Sequence, residues 1–156
     1  MIKAGAGGNW KRFDEKFDET IVKQTDLSCV SAVGEMLLRE RGIHVSQEEI
    51  RDIIVVPSYF EALARCLNQF DISDDGKIWR GFSTDEKSLL SLLKEQSLGV
   101  VLVEPTFLGH AVFVVRNTKT ALFQIKDSFD QTTYKMTVND FFAHWGGAII
   151  ARKYEY

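Results

Sequence analysis

The sequence predicts an α+β fold. Capped segments with one apolar face fill residues 28–93, and short β-branched and aromatic runs broken by turn residues dominate from residue 100 onward. Helices first and strands afterwards place a helical layer against an antiparallel sheet. The 156 residues, 45% hydrophobic and 12% aromatic with two prolines, suffice to bury one substantial core, so a single domain over 1–156 is expected.

Residues 1–20 begin Gly-rich and turn charged and aromatic from Trp10 to Asp18, which reads as an irregular lead-in running on to about residue 26. From Ser28 a helix is expected: Ser28 stands at the N-cap with Asp26 a second capping candidate, Val30, Val33, Leu37 and Leu38 face inward, and Gly42 stops it. Ser46 with Glu49 and Ser58 with Glu61 match the capping box and open helices over about 47–54 and 59–70. Residues 71–83 read as irregular, after which Thr84 caps a helix carrying Leu89, Leu90, Leu92 and Leu93. Val100–Val103, Ala111–Val115 and Ala121–Ile125 read as strands. Thr137 caps a short helix over about 138–144, and a last strand covers about 147–153.

Charge and cysteine usage exclude several classes. With 19 Lys and Arg against 22 Asp and Glu, and no basic run longer than Lys11-Arg12, the chain carries no electrostatic footprint for nucleic acid or an anionic membrane. No window approaches eighteen consecutive apolar residues, and Met1–Gly8 lacks the apolar run of a secretory signal, so neither a membrane span nor a signal is expected. Two cysteines, Cys29 and Cys66, outside any CxxC or Cys/His cluster, argue against a disulfide scaffold or a structural metal, and no cofactor is expected.

Cys29 falls in the first turn of its helix, where the positive end of the dipole and unpaired amides favour thiolate over thiol. A lone helical cysteine is more often a small hydrophobe, and Cys66 keeps that reading. A thiolate nucleophile needs a proton acceptor, and the choices are His44, in a helix connection, His144, at a helix end, and His110, at the mouth of an apolar strand. His110 is the best placed of the three. A hairpin about Asn117–Thr120 with a two- or four-residue loop pairs Val114 with Phe123 and Val112 with Ile125, and sets Asp127 opposite His110. An odd loop would send Asp127 to the other face, and Asp130 and Gln124 are alternatives for orienting the ring. Gln24, five positions before Cys29, can offer its amide to an oxyanion beside the Cys29 backbone N–H.

The segments Gln24–Ala32, Gly109-His110-Ala111-Val112 and Lys126-Asp127-Ser128 resemble the papain-like cysteine peptidase superfamily, whose order Gln, Cys, His, Asp they match. The 81-residue spacing from Cys29 to His110 is similar to that of compact bacterial members, the bacteriocin-leader peptidases and the papain-fold toxin domains. The usual interval between the oxyanion Gln and the Cys is six or more, and here it is five. The resemblance implies a papain-like α+β fold with Cys29 as nucleophile, His110 as acid and base, Asp127 as its orienter and Gln24 as oxyanion donor. It also implies cleavage of a peptide or isopeptide bond in a protein or peptide substrate through an acyl-enzyme on Cys29, an immunity or inhibitor protein as partner, and either a cytoplasmic location or delivery within a larger secreted toxin. The same residues would serve a glutamine deamidase or acyltransferase, and the same fold a non-catalytic binding module. Trp145 is read as core, with a shield over His110 as the alternative.

Overall fold

In the computed structural model, which describes residues 10–25, 28–54, 59–104, 107–119 and 121–154, helix α1 runs from Cys29 to Glu40 and buries Val30, Val33, Leu37 and Leu38. It stops where the sequence says it must. Gly42 takes φ 78°, the Gly42 N–H donates to the Arg39 carbonyl (2.9 Å) and the Ile43 N–H to that of Leu38 (2.9 Å), a Schellman end that a residue with a Cβ would strain. At the other end Ser28 occupies the N-cap position but does not cap: its hydroxyl lies 2.8 Å from the Thr25 carbonyl and 2.9 Å from Gln47 Oε1. The second capping candidate, Asp26, lies outside the described residues.

Helix α2, Gln47–Ile54, opens on the expected box, with the Glu49 N–H donating to Ser46 Oγ (3.2 Å) and the Ser46 N–H to Glu49 Oε1 (3.4 Å). Helix α3 runs Phe60–Phe70, and the Ser58 box expected for it lies outside the described residues. Helix α4, Glu86–Leu93, corrects its cap: Asp85 rather than Thr84 accepts from the Ser88 N–H (2.8 Å), because Thr84 is tied by its own N–H to the Gly147 carbonyl (2.9 Å). Helix α5, Val138–His144, is capped by Thr137 through the Asp140 N–H (3.1 Å) as expected.

Among the described residues seven strands form one antiparallel sheet: β1 Phe13–Phe17, β2 Lys77–Ser83, β3 Leu98–Glu104, β4 Phe107–Val114, β5 Leu122–Asp127, β6 Thr132–Thr137 and β7 Trp145–Tyr154, in the order β1-β6-β5-β4-β3-β7-β2. Three of them correct the sequence reading. β1 crosses the expected irregular lead-in and β2 the expected irregular stretch 71–83. Both are edge strands; every residue of β1 is exposed and β2 buries Trp79 alone, so neither carries a sustained apolar alternation. β6 was unassigned, although Tyr134 and Met136 alternate inward between threonines.

The β4–β5 register also departs from expectation. Val114 pairs with Ile125 rather than Phe123, a slip of two residues, because the connection runs from residue 115 to 121 and is braced by Asn117, whose Oδ1 accepts from the Lys119 N–H (2.8 Å). A slip of two preserves the face, so Asp127 stays on the side of His110.

Helices cover both faces of the sheet. α1, α2 and α3 pack with Ala111, Phe113 and Ile150 on one side, while Leu89, Leu93 and Phe141 of α4 and α5 join Leu98, Val100, Val112, Phe123 and Ile125 on the other. Trp10, ahead of β1, belongs to this second cluster.

Candidate active site

β4 delivers His110 to the interior. Gly109 before it adopts φ 127°, and a Cβ there would lie 2.9 Å from Val101 Cγ1, so glycine alone lets the chain turn into the strand at this point. His110 pairs with Leu102 of β3 and is fully buried. Asp127, the last residue of β5, meets it: His110 Nε2 lies 2.6 Å from Asp127 Oδ1, which also accepts the Phe129 N–H (3.1 Å). The other carboxylate oxygen, Oδ2, accepts the Tyr134 hydroxyl (2.8 Å), and the Tyr134 oxygen accepts the Trp10 indole N–H (3.0 Å). The Trp10 ring stacks on the imidazole, with centroids 6.1 Å apart and planes 20° from parallel.

Burial works against an imidazolium here, yet the Asp127 charge and hydrogen bond, with a contribution from Cys29, outweigh it and raise His110 to about 9. Burial likewise works against the Asp127 carboxylate, and His110, the Phe129 amide and the Tyr134 hydroxyl reverse it, so Asp127 is lowered. The second imidazole nitrogen, Nδ1, is buried and makes no hydrogen bond of ordinary geometry, but the Cys29 thiol is near enough to act on the charge of the ring. Cys29 itself is buried in the first turn of α1, with its start free of a side-chain cap.

Gln24 is fixed by two bonds to the residue following Asp127: its N–H donates to the Ser128 carbonyl (2.9 Å), and the Ser128 hydroxyl donates to its Oε1 (2.9 Å). With Oε1 engaged as an acceptor, the amide NH₂ end is the one that points away from Ser128.

The other candidates fall away. Asp130 and Gln124 are exposed, and Gln124 donates to Thr133 Oγ1 (3.1 Å), so neither replaces Asp127. His44 is exposed; His144 Nδ1 lies 2.9 Å from the Val103 carbonyl. Cys66 is buried in α3, and burial pushes its thiol up, the opposite of activation. Trp145 donates to the Ala148 carbonyl (3.0 Å) and packs on Phe141 and Phe142, as core. The ring over His110 is Trp10, which sequence reasoning missed along with Tyr134. The alternation Tyr134/Met136 was a signal for the second, whereas nothing around Trp10 marked the first. Among the described residues no cluster of three or more His, Cys, Asp or Glu side chains can hold a metal, and no helix is long and apolar enough to cross a membrane.

The fold is that of the papain-like cysteine peptidases. The peptidase domain of Streptococcus ComA, a bifunctional ABC transporter involved in quorum sensing, superposes with a TM-score of 0.68 over 84% of this chain and 95% of that domain, at 18% identity. A periplasmic domain of the EpsAB fusion protein of the Vibrio vulnificus type II secretion system superposes with a TM-score of 0.52 over 86% of this chain and 49% of that one, at 10% identity. In sequence the chain is 35% identical over 149 residues, 94% of its length, to Cysteine protease effector 1 of Escherichia coli O1:K1:H7. It spans 29% of that effector's length. No family model matches the chain.

Proposed function

We propose that the chain is a papain-like thiol peptidase that cleaves a peptide bond of a protein or peptide substrate through an acyl-enzyme on Cys29. The observation that carries this reading is the buried 2.6 Å pair of His110 and Asp127 with the remaining imidazole nitrogen available to the α1 thiol. A structural pair would satisfy both ring nitrogens. Similarity to a protein named as a cysteine protease effector favours peptide cleavage over deamidation, and favours a protein as substrate.

Each residue then has one task. An imidazolium held by Asp127 keeps the Cys29 sulfur as thiolate, which attacks the scissile carbonyl carbon. The carbonyl oxygen becomes an oxyanion, and the Gln24 amide and the Cys29 backbone N–H donate to it. As the C–N bond breaks, His110 gives its proton to the departing amine and a thioester remains. Neutral His110 then takes a proton from water, the resulting hydroxide attacks the thioester, and the C–S bond breaks to release the carboxylic acid and restore the thiolate beside the imidazolium. Asp127 holds the ring and stays anionic throughout.

Iodoacetamide labelling at neutral pH tests this directly. Cys29 is expected to alkylate far faster than Cys66, and His110→Ala to slow it; equal and sluggish labelling of the two cysteines would overturn the reading. Intact-mass analysis of candidate target proteins separates peptidase from deamidase, since hydrolysis yields fragments and deamidation a gain of about one dalton.

A further inference from the structure

We infer that Tyr134 and Trp10 are positioning residues for the His110–Asp127 pair, closing around it a ring of directed hydrogen bonds and one aromatic stack. The inference rests on the reading that Cys29 and His110 do the chemistry. Its starting point is the direction of the bonds. An indole N–H can only donate, so the Tyr134 oxygen, 3.0 Å from Trp10 Nε1, is the acceptor there. The Tyr134 hydroxyl proton is then committed to Asp127 Oδ2, 2.8 Å away, since a carboxylate can only accept. Asp127 thereby receives three donors, from His110, the Phe129 amide and Tyr134, and both its oxygens are occupied.

The ring closes through the other face of Trp10, which lies against the imidazole of His110. His110, Asp127, Tyr134 and Trp10 are all 3% exposed or less, so no water stands in for a lost partner at the surface. The charged and titratable groups facing this assembly are Cys29 from α1, Arg12 with its guanidinium 5.0 Å from the Tyr134 ring centroid, and His144 of α5 on Trp10 at 6.0 Å. Without the phenol, Asp127 Oδ2 is left buried and unpaired, the carboxylate loses a donor that stabilises its charge and becomes a stronger base, and the His110–Asp127 pair releases its proton less readily. Hydrogen bonds to a charged group at such a site change equilibria by roughly tenfold or more.

Two variants test it: Tyr134→Phe keeps the ring and removes the hydroxyl, and Trp10→Phe keeps an aromatic face and removes the N–H. The first readout is the ¹⁵N NMR titration of the His110 imidazole, the second the pH profile of Cys29 alkylation by iodoacetamide, with a thermal melt to verify folding. Tyr134→Phe is expected to raise the His110 midpoint by about one pH unit and to displace the pH profile of Cys29 alkylation with it. Trp10→Phe is expected to move the midpoint in the same direction by less. A folded Tyr134→Phe with an unshifted His110 midpoint and an unshifted alkylation profile would overturn the inference, and if Tyr134→Phe does not fold, an unshifted Trp10→Phe does the same. Failure of the underlying peptidase reading is distinguishable, because then His110→Ala leaves the alkylation of Cys29 unchanged while the NMR titration still reports on the ring.

Discussion

Asp127 accepts from an imidazole, a phenol and a backbone amide in a place water does not reach, and this sets what its loss would do. Asp127→Ala strands two buried donors, His110 Nε2 and the Tyr134 hydroxyl, and should destabilise the protein by about 3 to 5 kcal/mol in urea denaturation, the range for removing one partner of a buried pair. Gln24 answers differently. An alkylation by iodoacetamide develops no oxyanion, whereas attack on a peptide carbonyl does. Gln24→Ala should therefore label at Cys29 at nearly the wild-type rate while losing on the order of 100-fold in peptide cleavage. Equal loss in both assays would assign Gln24 to holding Cys29 in place rather than to the oxyanion. Four candidate residues could be named from sequence because thiol chemistry needs few residue types, and the chain offers two cysteines and three histidines to choose among. Trp10 and Tyr134 could not, because they act through other residues, and their roles exist only once β1, β5 and β6 are side by side.

Elements with one buried face were read nearly to the residue: α2 over Gln47–Ile54 and α5 over Val138–His144 have caps and apolar spacing written locally. The failures share a cause. β1 has no buried residue and β2, at the opposite edge, buries only Trp79, so their strand character comes mainly from the backbone ladders to β6 and β7 and not from an alternating side-chain pattern. The β4–β5 register failed by two for a similar reason, since the loop length is set by how Asn117 folds the connection and by its N–H bond to the Leu93 carbonyl (2.9 Å), a contact far away in sequence. At the β3–β4 junction the same logic makes a prediction. Gly109→Ala puts a Cβ on a φ of 127° and within 2.9 Å of Val101 Cγ1, just ahead of His110. It should cost about 1 to 3 kcal/mol of stability. Alkylation of Cys29 should slow as well, because the strain is relieved by moving the strand that carries the imidazole; a destabilised variant with wild-type Cys29 reactivity would show that β4 absorbs the change elsewhere.

Across the whole molecule, pH acts on stability through the charges the fold has buried. Asp71 sits among Arg41, Arg152 and Trp79; burial works against its carboxylate, but their bonds and charges prevail and it is lowered from 3.8, as is Asp127. Both carboxylates contribute stability above their unfolded value that is lost as pH falls through their folded ones. His110 is raised from 6.5 to about 9, so its contribution is complete below 6.5 and is lost as pH rises through about 9. The His110–Asp127 attraction is one interaction that either end can abolish, by protonating the acid or deprotonating the base, and it must not be counted twice. Stability measured by urea midpoint should accordingly be flat from about pH 4 to 6.5 and decline on both sides. Asp127→Asn separates the contributions: it should abolish the decline between 6.5 and 9 while leaving the acid limb due to Asp71 in place. If the alkaline decline persists in that variant, the imidazolium is not what the fold has stabilised, and the proton that the proposed mechanism delivers to the leaving amine has to come from another group.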